Sequence, residues 1–204
     1  MCTPDRRRQR GLSLIELVMF VVIVGLAVAG VLSVFNITTQ KSADPMVRKQ
    51  LLAIAEAMLA EVQLMPFTYC DPDDANAATA AAALVGAANC ATTVEAIGPG
   101  AAETRYNAAN PFDNVDDYHG FDSDSAVPAG IADLSGTVIG GLSGYRSQVV
   151  VAAQALGPAG AQVAASDGNG RAQSLRIDVT VTGPRGDSIT LSGYRTRYAP
   201  TALP

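Results

Sequence analysis

Twenty-two consecutive residues, Leu14 to Phe35, hold no charge except Glu16, and Arg6, Arg7, Arg8 and Arg10 stand immediately before them. No other stretch constrains the fold as much. At ~1.5 Å per residue a helix of this length spans about 33 Å, enough for a bilayer core. Basic residues stay on the cytoplasmic side of such a span, so the acidic remainder of the chain is expected to cross the membrane. Glu16 is the anomaly. A carboxylate within a membrane helix costs about 2.5–3.5 kcal/mol at the centre on insertion scales, so it implies a partner of opposite charge.

Gly11 precedes the sequence Leu12-Ser13-Leu14-Ile15-Glu16-Leu17. A glycine, a short apolar-hydroxyl-apolar stretch and that glutamate resemble the processing site of type IV prepilins, over roughly residues 6–35. Leu12 stands where the family usually carries Phe or Met, and Ser13 where it carries Thr. The resemblance implies cleavage by prepilin peptidase between Gly11 and Leu12 and N-methylation of Leu12. It also implies that Glu16 faces the terminal ammonium of a neighbouring subunit. In a medium of low dielectric such opposite charges attract strongly, and each is costly alone. Two other readings compete. An ordinary signal peptide would be cut after Ala27-Val28-Ala29, before Gly30, but Glu16 interrupts its apolar region and hydrophobicity continues to Phe35. An uncleaved anchor is the plainer reading. The mature N-terminus separates the three: Leu12, Gly30 or Met1.

Loss of residues 1–11 removes four arginines and Asp5, leaving 10 basic against 18 acidic residues, a formal charge of −8. That balance argues against nucleic acid as a direct ligand, because binding phosphates needs a basic surface. Cys2 leaves with the leader. Cys70 and Cys90 remain, an even number in an oxidising compartment, which predicts a disulfide.

The first helix is expected from about Leu14 to Gln40. Ser42-Ala43-Asp44-Pro45 reads as a break or kink, with Asp44 a plausible N-cap and Pro45 suited to the first helical position. Beyond it Val47, Leu51, Ile54/Ala55, Met58, Val62 and Met65 recur every three to four residues, an amphipathic helix ending at Pro66. Residues 71–135 predict irregular structure with one or two short helices, Ala75–Ala88 being readable as helix or loop. Tyr145 to Ala153, Ser174 to Val181 and Ser188 to Arg197 read as strands. In Leu175 to Val181 the odd positions are apolar and the even ones polar, so one face is buried and one wet. Gly183 to Asp187 reads as a hairpin turn. The fold class that follows is α+β and pilin-like: a long N-terminal helix packed on a C-terminal antiparallel sheet of three or four strands. The expected organisation is a leader at 1–11, a transmembrane and assembly helix at 12–40, its amphipathic second half at 41–66, and a periplasmic globular domain at 67–204.

No nucleophile-base pair can be nominated, so no enzyme activity and no catalytic residue are expected. The only histidine, His119, lies in an acidic loop expected to be exposed. No cofactor is expected beyond calcium, the one ion the acidic loops suit. Asp71, Asp73, Asp74 and Asn76 form one cluster; Asp113, Asn114, Asp116, Asp117, Asp122 and Asp124 form another. Asp113, Asp116 and Asp117 are the favoured ligands, against the alternative of turn capping on a solvated surface. Neither cluster follows the EF-hand pattern.

Four longer blocks, residues 42–50, 65–74, 112–118 and 193–198, are similar to the mannose-sensitive haemagglutinin (MSHA) pilus biogenesis protein D (MshD) family of minor pilins. The cysteine pair directly after the helix also departs from major pilins, whose disulfide encloses the last sheet segment. The resemblance implies a minor type IV pilin-like subunit that enters or primes a surface pilus used in attachment. Its partners would be other pilin subunits, prepilin peptidase and an inner-membrane assembly platform. It would span the inner membrane once before assembly and reside in the surface pilus afterwards. A minor pseudopilin of a type II secretion system is the alternative within the class. A signal-anchored periplasmic binding or enzymatic domain is the alternative outside it.

Overall fold

A computed structural model describes residues 13–201, including every side chain in that range except those of 37–44. Its elements are the helix α1 (Leu14–Leu64), a single 3-10 turn at Asp116–Tyr118, and the strands β1 (Arg146–Ala153), β2 (Ser174–Thr182) and β3 (Ser188–Thr196). The chain divides into two compact units, Met1–Met46 and Val47–Pro204.

Of the break or kink expected at residues 42–45, the break is absent: α1 continues through Pro45. A proline inside a helix removes one amide donor and crowds the preceding turn, at a cost of ~3 kcal/mol. The boundary between the two units nonetheless falls one residue later, between Met46 and Val47.

In the second unit, α1 buries the stripe its periodicity announces. Leu51, Ala55, Met58 and Val62 are all inaccessible to solvent or nearly so. They lie against a three-stranded antiparallel sheet in the order β1-β2-β3, the lower end of the expected strand count. Leu175, Ile177, Val179 and Val181 of β2 supply the middle of the core, with Val149 and Val151 of β1. The intervening Arg176, Asp178 and Thr180 are half-exposed, so the alternation is realised residue by residue. Gly193 of β3 lies close against α1. A Cβ there would come within 3.0 Å of Leu59 Cδ1 and collide with the Gln63 side-chain amide. The β2–β3 hairpin closes with Thr182 opposite Ser188, and the Gly183 amide donates to the Asp187 carbonyl at 2.8 Å.

Residues 65–145 are irregular apart from the 3-10 turn, yet they complete the core with Phe67, Val115, Tyr118, Phe121, Ile131 and Tyr145. One strip of this segment also covers the outer edge of β1. The Val149 amide donates to the Phe121 carbonyl, Ser147 N–H to Ser123 Oγ and Val151 N–H to His119 Nδ1. Strand edges left open are pairing hazards, and this one is closed from within the chain. Arg105 fixes the segment to α1 through two 2.6 Å hydrogen bonds to the Glu61 carboxylate.

Cys70 and Cys90 form a disulfide, and with Ala77 and Ala80 they make a small second apolar cluster. Between them Ala75–Ala88 is a succession of turns rather than a helix. Asp74 explains why. Its carboxylate accepts the amides of Asn76, Ala91, Thr92 and Thr93 and the Thr92 hydroxyl, so it organises the whole loop from its centre. Those amides, Thr93 and Thr92 foremost, hold the carboxyl far below the usual carboxylate range.

Candidate functional site

Ser13 begins the described chain, and its carbonyl accepts the Leu17 amide as α1 opens. Glu16 falls in the first helical turn, where the unpaired amides of a helix start favour negative charge. Its side chain is exposed. Gly11 and Leu12, the expected processing site, lie outside the described residues.

From Leu14 to Asn36 the helix is long and apolar enough to cross a membrane, and none of that span is buried within the protein. Its large apolar side chains, from Leu14 to Phe35, are between 40% and 81% exposed. The extent decides the reading: soluble proteins rarely leave so large a continuous apolar surface in water without a partner. Such a surface is suited to lipid or to the apolar surfaces of other chains. The chemistry of the site is thus an apolar rod with one carboxylate near its head, suited to insertion and association.

The acidic clusters resolve differently from the expected grouping. Carboxylate oxygens of Asp71, Asp73 and Asp113 lie within 4.8 Å of one another. Burial, together with the charges of Asp71, Glu103 and Asp73, raises the Asp113 carboxyl to about 6. Asp117 instead turns Oδ2 to the amides of Asp113 and Asn114, at 3.0 and 2.7 Å, and so caps its own turn. Asp116 lines a separate cavity with Glu95, Arg171 and Arg197. Asp116 and Asp117 are buried rather than solvated. Residues 113–124 read as surface because nothing local signals that Asp117 serves backbone amides or that Asp116 is buried. His119 is exposed, as expected, and its Nδ1 is engaged by the Val151 amide.

Two features carry no signal in the sequence. One is the Glu61–Arg105 pair, joined by Tyr118, whose hydroxyl donates to Glu61 Oε1 at 2.8 Å. Its partners are 44 and 57 residues apart. The other is a groove of about 680 Å³ beside them, lined by Ala53, Ile54 and Ala57 of α1 and by Ile131, Leu134 and Leu142.

Residues 6–32 match the family model of the prokaryotic N-terminal methylation motif. No curated protein and no solved structure matches the chain. The matched segment runs from the arginine cluster into the exposed apolar helix, Glu16 included. It supports a type IV prepilin-like protein, pilin or pseudopilin, processed by prepilin peptidase and assembled with other pilins, and the helix fits an anchor in the inner membrane.

Proposed function

We propose that the chain is a minor type IV pilin-like subunit of an MSHA-type surface pilus used in attachment, which enters the fibre or primes its assembly. Prepilin peptidase cuts between Gly11 and Leu12 and the new Leu12 amine is methylated. The helix then waits in the inner membrane, with the sheet unit in the periplasm. On extraction by the assembly platform it exchanges lipid for the helices of neighbouring subunits. Glu16 pairs with a neighbour's terminal ammonium and sets axial register, because a carboxylate among apolar helices is costly until it is neutralised.

One observation carries this reading: the methylation motif at 6–32 runs into a helix whose large apolar side chains are exposed. The blocks resembling MshD and the cysteine pair directly after the helix support the minor, MSHA-type assignment. The test is the mature N-terminus in cells with and without prepilin peptidase. N-methyl-leucine at position 12, lost when the peptidase is deleted, is the expected result. A chain starting at Gly30 or retaining Met1 in peptidase-positive cells contradicts it. Recovery with secretion pseudopilins rather than with sheared pili would move the chain to a type II secretion system.

A further inference from the structure

A cavity of about 230 Å³ lies beyond the end of β3, lined by Glu95, Asp116, Arg171 and Arg197 among others. Two guanidinium groups and two carboxyl groups face one space, yet no ion pair joins them among the described residues. Arg197 Nε and Nη1, Arg171 Nε and Asp116 Oδ1 are all shielded from solvent and without a hydrogen-bond partner. Buried polar groups are nearly always satisfied, and here four unpaired atoms belong to three residues that line one cavity, so a ligand there has unspent hydrogen-bonding capacity beside it. A single water needs only about 10–15 Å³ of such space, and this cavity is far larger.

The arrangement is held rather than collapsed. The Arg197 guanidinium stacks over the Phe67 ring, 4.1 Å from its centroid, with Tyr69 at 5.3 Å. That stacking keeps it from swinging onto Asp116. Its backbone is fixed as well, the Arg197 amide donating to the Gln173 carbonyl. Arg171 sits in a turn closed by Asp167, whose Oδ1 accepts the Arg171 and Asn169 amides. Asp116 is 1% exposed and is anchored where its carbonyl accepts the Gly98 amide.

We propose that this cavity is a binding site for a small oxyanion, the carboxylate or phosphate group of a ligand, held by the guanidinium groups of Arg197 and Arg171 that line it. Guanidinium donors recognise both groups in the same planar, charge-assisted way. The acids do not cancel the charge. Burial, aided by Asp117 and Asp116, raises Glu95 to about 9, and burial raises Asp116 to about 7 against the pull of Arg197. Near neutral pH these two acids therefore offset the guanidinium charges only in part, and a protonated carboxyl can itself donate to an anion.

The test is thermal unfolding of the full, detergent-solubilised chain, titrated with inorganic phosphate or with acetate at fixed ionic strength. Saturable stabilisation by either anion is expected, since a ligand of the folded state alone raises the melting temperature. Arg171→Gln should weaken the midpoint about tenfold, the size of one charge-assisted hydrogen bond. Asp116→Asn should tighten it by removing the acid that competes for the same donors. Calorimetric titration of wild type and Asp116→Asn serves as a second readout should Arg171→Gln fold poorly. Saturation by phosphate alone assigns a phosphate group, and by acetate alone a carboxylate. Absence of saturation with both anions, or equal midpoints in wild type and variants, overturns the proposal.

Discussion

Arg105 and Glu61 form a two-pronged ion pair across 44 residues of chain, Nε to Oε1 and Nη2 to Oε2, both at 2.6 Å. The side chains are only 4% and 13% exposed. The remaining capacity is used too: Arg105 Nη1 donates to the Ala132 carbonyl at 3.1 Å and to the Tyr106 hydroxyl. Burial works against the guanidinium charge, but the hydrogen bonds and charge of Glu61 outweigh it and hold Arg105 above its ordinary pKa. Removing one member strands the other. Glu61→Ala should therefore destabilise the sheet unit by about 3–5 kcal/mol, the usual cost of an uncompensated buried charge. Replacing both, as Glu61→Leu with Arg105→Met, should recover most of that loss. Urea unfolding of the three proteins checks both statements, and a double variant as weak as Glu61→Ala contradicts them.

Buried acids give the protein an uncommon pH response. Burial raises Glu95 to about 9, helped by Asp117 and Asp116, and raises Asp116 and Asp117 each to about 7. A carboxyl that holds its proton more tightly when folded stabilises fully below its unfolded pKa of about 4, and that stability is lost as pH rises toward the folded value. The melting temperature should fall from about pH 5 to about pH 9. Glu95→Gln should flatten the upper part of that decline. On the acid side the sign reverses at Asp74, whose carboxyl is held low by backbone amides. Its contribution is present above about pH 4 and lost below it. A profile rising steadily to alkaline pH would rule this account out.

What was legible in the sequence was what rests on local pattern. The alternation in Leu175 to Val181 announces β2 because one face of an antiparallel strand is packed and the other wet. The stripe Leu51, Ala55, Met58 and Val62 announces the buried face of α1 for the same reason at a different period. Pro45 suggests a break that does not occur, because its penalty is local and a helix can carry one missing hydrogen bond. Asp113, Asp116 and Asp117 look alike in sequence, because a run of acids reads the same whether a carboxylate lies near the surface, as at Asp113, is buried, as at Asp116, or caps backbone amides, as at Asp117. Arg105, Arg171 and Arg197 gain meaning only from residues brought to them by the fold, so no spacing betrays them.

The Cys70–Cys90 bridge closes a loop with a sequence separation of 20. In the chain-entropy account such a closure contributes about 3 kcal/mol by restricting the unfolded chain. Here it acts with Asp74, since both hold the same turns around Ala77 and Ala80. Reduction should lower stability by about that amount and should expose Asp74-bound amides, Thr92 and Thr93, to faster hydrogen exchange than those of β2. If exchange accelerates equally in β2, the loop is not an independent unit and the bridge stabilises the whole domain.

Glu16 is the residue on which incorporation into a fibre should turn. It lies in the first turn of a helix whose neighbours, Ile15, Leu17 and Val18, are all apolar and exposed. Nothing in insertion requires the charge, and removing it makes the span more favourable in lipid. Assembly is different, because a terminal ammonium carried into an apolar fibre core needs a counter-charge. Glu16→Val should therefore leave membrane content unchanged while reducing recovery in sheared fibres, and Glu16→Asp should retain part of it. The measurement is immunoblotting of membrane and sheared fractions in cells with active prepilin peptidase. Equal recovery of Glu16→Val and wild type in the sheared fraction would show that the carboxylate does not pair across subunits.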